Sequence, residues 1–270
     1  MTTPVRFLFE SMGVSPERIA PNTESALARG IPLVQPAKAH DRKLAVVGSG
    51  PSLRHHLKSL RKWKGDIWAI NGTVKYLHDN GIKSTLISVD PGERKDYPRV
   101  LQAKDALLAV VCDPVLFDAY EGRVKGFFIS PDPRAPFEAS GGCTTACRAP
   151  MLAIQMGYRD ITFYGCEGSY EGDTHVYADF KDEGPLELYV EEYAGGKGYR
   201  CCVEGLMQSQ YLSDLIRKFP QGFREKCGGL LRVMLEHPDT WTMAQVSGAL
   251  KDRLEQSFAR QQGTQQGAQL

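Results

Sequence analysis

Leu44-Ala-Val-Val-Gly-Ser-Gly-Pro-Ser-Leu53 is the stretch on which the fold turns. Four apolar residues without polar alternation read as a strand buried on both faces. The run stops at Gly48, and Leu53, Leu57 and Leu60 then recur at helical spacing over residues 52–62. Strand, glycine loop and helix in that order are the first half of a parallel βαβ unit.

The same alternation continues outward. Strands are expected at 66–70, 84–89, 106–112, 126–130 and 160–164. Helices are expected at 72–80, with Gly81 as C-cap, and from the Ser140-Gly-Gly-Cys-Thr-Thr145 segment to about Met156. This predicts an α/β fold of Rossmann-like topology, a mostly parallel sheet with helices on both faces. Leu188–Tyr193 and Tyr199–Val203 flank Ala194-Gly-Gly-Lys-Gly198 and predict a hairpin. Residues 207–218 read as helix, and Met243, Val246, Leu250, Leu254 and Phe258 mark a last amphipathic one. The expected organisation is an arm over 1–42, broken by Pro21, Pro32 and Pro36. A domain over 43–220, a helical extension over 221–260 and a polar tail over 261–270 follow.

Composition sets outer bounds. The chain has 270 residues, 42% of them hydrophobic and 24% charged, with a net charge of +1. That balance gives a nucleic-acid surface no special support. No apolar run reaches the ~18 residues of a membrane span, and the first residues lack the pattern of a secretory signal. Seven cysteines with no Cys-x-x-Cys pair suit a reducing cytoplasm.

Five loops lie where ligands bind in parallel α/β sheets, beyond the carboxyl ends of strands. In the first, Gly48 and Gly50 let backbone approach a phosphate. Ser49 and Ser52 add hydroxyls beside the free N–H groups of a helix start. Leu53 fills the third position of Gly-x-Gly-x-x-Gly, and no Gly-Lys-Ser/Thr follows, which excludes a P-loop. In the second, Asn71 offers an amide able to read a base or ribose. Asp90, in the third, is a candidate for Mg²⁺ or a ribose hydroxyl. Gly141, Gly142, Thr144 and Thr145 form a second anion-friendly helix start. The fifth, Gly165-Cys-Glu-Gly-Ser-Tyr-Glu-Gly-Asp-Thr-His175, gathers Glu167, Asp173 and His175, with His175 as candidate general base. Each loop alone is equally a plain strand-to-helix turn or cap; their common position on one sheet edge is what points to a nucleotide site. His55 and His56 sit on a basic, solvated helix face and read as no metal site.

The ordered set of these motifs over roughly residues 43–220 resembles the 6-hydroxymethylpterin diphosphokinase (MptE-like) family. That family includes motility-associated-factor glycosyltransferases and many phage proteins. The matching stretches are Val47–Leu53, Ala69-Ile-Asn71, Val89-Asp-Pro91, Gly141-Gly-x-x-Thr145, Tyr164–His175 and the Glu192–Lys197 hairpin. The glycine loop is also similar to that of family 42 sialyltransferases, although those have Gly-Asn-Gly where this chain has Gly48-Ser-Gly50. The resemblance implies a nucleotide or nucleotide-sugar donor on Gly48, Ser49, Gly50, Ser52 and Asn71, with His175 as base. Two chemistries follow from it. One is glycosyl transfer to an acceptor hydroxyl. The other is an ATP-dependent diphosphokinase in which Mg²⁺ sits on Asp90 with Glu167 or Asp173. A non-catalytic nucleotide-binding protein is the reading of another class. The cysteine usage makes a cytoplasmic protein the expectation, in the host cytoplasm if phage-encoded. The arm and the last helix are candidate homo-oligomer interfaces, and the acceptor is not readable.

Overall fold

Lys43–Val47 (β1) is the axis of the molecule, hydrogen-bonded to Asp66–Ile70 (β2) on one side and Asp160–Tyr164 (β6) on the other. The structure is a computed structural model that describes residues 16–92, 100–120, 123–170, 188–191 and 198–238. Thr85–Ser88 (β3), Ala106–Ala109 (β4) and Val124–Phe127 (β5) extend the sheet beyond β2. Phe223–Lys226 (β9) closes the other edge on β6. The order is β5-β4-β3-β2-β1-β6-β9, and every pairing is parallel.

The strands are parallel because each connection passes through a crossover. After β1 come a 3₁₀ turn at Pro51–His55 and Leu57–Arg61 (α2). Thr73–Asp79 (α3) and Pro114–Ala119 (α4) follow β2 and β4. Thr145–Gln155 (α5) links β5 to β6, and Val203–Lys218 (α6) leads back to β9. The chain runs outward from β1 through β5, then reverses direction to reach β6 and β9, and parallel strands are joined by right-handed crossovers. The two series of helices therefore cover opposite faces of the sheet. Register sets the level at which the chain leaves the sheet. Val47 lies opposite both Ala69 and Tyr164, so Gly48, Ile70 and Gly165 stand at one carboxyl edge.

The core is one cluster built on the strands, with Leu44–Val47, Leu86, Ile87, Leu108, Ile161 and Phe163 almost wholly buried. Leu53 and Leu60 join it, as their spacing requires. The hairpin forms where the pattern places it, Leu188–Glu191 (β7) antiparallel to Gly198–Cys201 (β8).

Three features depart from the sequence reading. Ile19–Ala28 (α1) is a helix inside the expected arm, because Pro21 falls in its first turn, where a missing N–H costs no intrahelical bond. The arm is also bound to the body. Asn22 Nδ2 donates to the buried carbonyls of Pro91 and Val111 at 3.1 and 2.9 Å, and Ala26 and Val34 are core residues. Past residue 220, where the domain was expected to end, β9 belongs to the same sheet, and Gly229–Glu236 (α7) packs behind it with Leu230 and Leu231 buried. Phe-Arg-Glu-Lys escapes a hydrophobic scan because it is an edge strand, with Phe223 alone turned fully inward. The expected helix over 243–258 and the polar tail lie outside the described residues. Among the described residues no helix is long and apolar enough to cross a membrane.

Candidate functional site

The first glycine loop and the loop after β6 meet across the carboxyl edge. Gly48 N–H donates to the Tyr164 carbonyl and Gly50 N–H to the Gly165 carbonyl, both at 2.8 Å. A side chain on Gly48 would stand 2.5 Å from the Gly165 oxygen. Contact between the two loops thus requires this glycine, before any ligand is considered.

Glu167 decides the rest of the loop's shape. Its carboxylate accepts Ser52 N–H at 2.6 Å and the Ser52 hydroxyl at 3.1 Å. The side chain is 2% exposed, and a Cβ on Gly50 would lie 2.2 Å from the carboxylate carbon. The free donors of the helix start, expected to receive a phosphate, here receive a carboxylate of the same chain. Burial pushes the Glu167 carboxyl pKa up, while its bonds to Ser52 pull the other way. Its backbone carbonyl accepts from Leu231 N–H and the Ser209 hydroxyl, so α6 and α7 are tied to the same residue. Gly168, at φ +67°, is where the β6 loop crosses α6. A Cβ there would sit 2.1 Å from Ser209 Oγ and 2.2 Å from the Gly205 carbonyl oxygen.

Asn71 leaves β2 in the left-handed region, at φ +49°, the single non-glycine residue with positive φ among those described. Its Oδ1 is buried without a hydrogen-bond partner among the described residues, as is the Thr73 hydroxyl two residues on. Backbone strain and unpaired buried polar atoms persist where something else uses them. Asp90 Oδ1 accepts Gly92 N–H at 3.0 Å, which shapes the turn after β3.

At the second helix start, Thr144 is the N-cap of α5, its hydroxyl accepting Cys147 N–H at 3.3 Å and donating to Gln208 Oε1 at 2.7 Å. Thr145 is buried as the first helical residue. Gly141 and Gly142 lie against Cys147, with room for no side chain. The sequence reading missed Arg148, Gln208 and Ser209. Arg148 was the one with a local signal, a lone charge inside the apolar run Ala146-Cys-Arg-Ala-Pro-Met151.

The structure therefore brings together Gly48, Ser49, Gly50, Ser52 and Glu167, and sets Asn71 beside them on the same edge. Asp173 and His175 lie outside the described residues. Among the described residues no three His, Cys, Asp or Glu side chains cluster as metal ligands, and Glu167 is engaged with Ser52. Asp90 accepts Gly92 N–H, and Asp173, the other candidate partner of Asp90 for Mg²⁺, lies outside the described residues.

Comparison with solved structures places this architecture beside the MAf glycosyltransferase from Magnetospirillum magneticum AMB-1. The TM-score is 0.57 at 15% identity, over 78% of this chain and 37% of that one. The chain thus spans little more than a third of that protein, and at this identity the likeness is one of fold. The Bacillus megaterium QM B1551 spore cortex-lytic enzyme SleL aligns with a TM-score of 0.22 at 10% identity, over 84% of this chain and 82% of that one, too low to carry an argument. No curated protein matches the sequence. Residues 17–173 match the family described as 6-hydroxymethylpterin diphosphokinase MptE-like. With more than half its length in that match and the glycine loop, Asn71 and Glu167 on one sheet edge, the chain belongs to the MptE-like family.

Proposed function

We propose that this protein is a nucleotide-dependent transferase, and specifically a glycosyltransferase that moves a sugar from a nucleotide-sugar to an acceptor hydroxyl. The observation that carries the reading is the reversal of strand order at β1. The chain runs outward through β2 to β5 and returns to β6, which makes β1 the topological switch point at whose carboxyl edge open α/β sheets bind ligands. The glycine loop and Asn71 stand on that carboxyl edge, and an unpaired amide oxygen there suits a base or ribose donor.

In this reading Gly48, Ser49, Gly50, Ser52, Asn71 and Asp90 face the nucleotide, and Gly141, Gly142, Thr144 and Thr145 lie toward its phosphate. The acceptor oxygen bonds to the anomeric carbon as the sugar–phosphate bond breaks. The electron pair leaves with the phosphate and the acceptor's proton goes to His175, with Asp173 as the second candidate catalytic residue of that loop. The Gly141–Thr145 helix start receives the departing phosphate, where N–H donors lower the barrier as its charge develops. Glu167 acts from behind the loop, holding Ser52. Glycosyl transfer is favoured over triphosphate chemistry because residues 48–53 contain no Lys or Arg. The family's description favours a second reading, diphosphate transfer from ATP to a 6-hydroxymethylpterin.

A thermal-shift panel of ATP, CTP, CMP, UDP and GDP with their sugars, with and without Mg²⁺, separates these. A ligand at a hundred times its Kd adds ~2.7 kcal/mol of stability. Stabilisation by a cytidine or uridine compound is expected. Mg²⁺-dependent stabilisation by ATP alone would replace glycosyl transfer with the diphosphokinase. Binding without turnover, unchanged by His175→Ala, would leave a nucleotide-binding protein, and no shift from any nucleotide would remove the reading altogether.

A further inference from the structure

The two glycine-rich helix starts on the carboxyl edge carry opposite charges. At the first, the buried carboxylate of Glu167 already fills the donors of the loop. At the second stands Arg148, on the first turn of α5 and only 5% exposed. One guanidinium nitrogen, Nη1, donates to the carbonyls of Ile129 and Ala139, both at 3.2 Å. Nε and Nη2 have no hydrogen-bond partner among the described residues, and no carboxylate there pairs with the guanidinium. The aliphatic stem runs along Gly141, where a Cβ would meet Arg148 Cδ at 3.4 Å. The charged and titratable groups around it are Glu138, Tyr211, Cys143 and Cys147, and none of them hydrogen-bonds to it.

A cation withdrawn from water to this degree is costly unless an anion answers it, and carbonyl dipoles offset only part of that cost. Three N–H bonds remain, and two of them, on Nε and Nη2, lie parallel along one edge of a planar fork, the geometry that grips two oxygens of a phosphate. The positive end of α5 adds to the same field. We propose that Arg148 is the cationic contact for the donor's phosphate, received at the Ser140–Thr145 helix start. The inference rests on the nucleotide reading and supplies the counter-charge that the Gly48–Leu53 loop lacks.

The test is calorimetric titration of the wild type, Arg148→Met and Arg148→Lys with inorganic pyrophosphate, with circular dichroism to confirm folding. Pyrophosphate should bind the wild type, bind Arg148→Met at least tenfold more weakly, and bind Arg148→Lys at an intermediate strength. Equal affinity in a folded Arg148→Met, or no binding by the wild type, overturns the assignment and leaves Arg148 as a staple between α5 and the carbonyls of Ile129 and Ala139. Should Arg148→Met not fold, the arginine Nε–H resonance that disappears in Arg148→Lys is followed in the wild type. It must move when pyrophosphate is added, and a stationary resonance rejects the proposal. The nucleotide panel keeps the two ideas separate. Nucleotide shifts with no role for Arg148 defeat this inference alone, whereas pyrophosphate binding through Arg148 with no nucleotide shift defeats the nucleotide reading and leaves Arg148 a phosphate contact without a nucleotide donor.

Discussion

Replacing Glu167 in two ways separates its geometry from its charge. The carboxylate takes two hydrogen bonds from Ser52, and it is almost wholly buried. Glu167→Ala removes both acceptors. Ser52 is half-buried, so its stranded N–H costs the lower part of the ~1–3 kcal/mol of a buried donor, and loss of a hydrogen bond to a charged group costs ~1.5–3 kcal/mol. A loss of ~3 kcal/mol follows, before any cavity cost. At ~2–4 °C per kcal/mol for a chain of this size, Tm falls by ~6–12 °C. Glu167→Gln keeps an acceptor for Ser52 N–H and gives up the charge assistance, but it also removes the cost of burying that charge, so a net change within ~1 kcal/mol is expected.

The pH dependence has a definite sign. Because burial raises the folded-state pKa above its unfolded value, Glu167's favourable contribution is complete at pH below the unfolded carboxyl range. It is lost as pH rises through the folded pKa. Wild type should therefore gain on Glu167→Gln as the pH is lowered from 7 into the carboxylate range. Thermal denaturation followed by circular dichroism at several pH values measures all three proteins. If Glu167→Gln lost as much as Glu167→Ala at pH 7, the charge would be the stabilising element and the burial argument would be wrong. An unchanged Glu167→Ala would refute the bracing role itself.

Gly50→Ala places a methyl carbon inside the Glu167 carboxylate and should cost ~1–3 kcal/mol by overpacking. In a double-mutant cycle with Glu167→Ala, most of that penalty should disappear, and simple additivity of the two losses would mean that the carboxylate is not what Gly50 accommodates. Asn71→Gly removes the side chain from a left-handed residue, so Tm should hold or rise slightly while stabilisation by the nucleotide found in the panel diminishes. A drop in Tm with undiminished nucleotide stabilisation would make Asn71 a structural residue only.

Local pattern explains how much could be read in advance. The run at Leu44–Val47 is a strand buried and apolar along its whole length, and Asp66–Ile70 and Asp160–Tyr164 are strands whose apolar residues follow a leading aspartate. Gly81 marks a helix end because its φ of +71° penalises any residue with a Cβ. The hairpin at β7 and β8 was visible for the same kind of reason, short β-rich runs around glycines. Such signals live within ten or so residues of one another. The glycines of the loops were visible too, but their physical cause was not. Gly48 and Gly50 were read as space for a phosphate, and the structure puts the Gly165 carbonyl and the Glu167 carboxylate against them.

Sequence by itself thus determined the α/β class, the parallel strands and the glycine-rich edge on which a site is sought, because each depends on periodicity and backbone freedom inside one segment. Tertiary structure alone decided that Phe223–Lys226 is a strand of the same sheet, that the arm's Asn22 is tied to Pro91 and Val111, and that Arg148 is buried on the carbonyls of Ile129 and Ala139. It also decided where Glu167 goes. Ser52 and Glu167 are 115 residues apart in the chain and 2.6 Å apart in space. A polar edge strand, a buried charge and a carboxylate on a distant N–H owe their positions to neighbours that only the folded sheet brings near, so no local pattern encodes them.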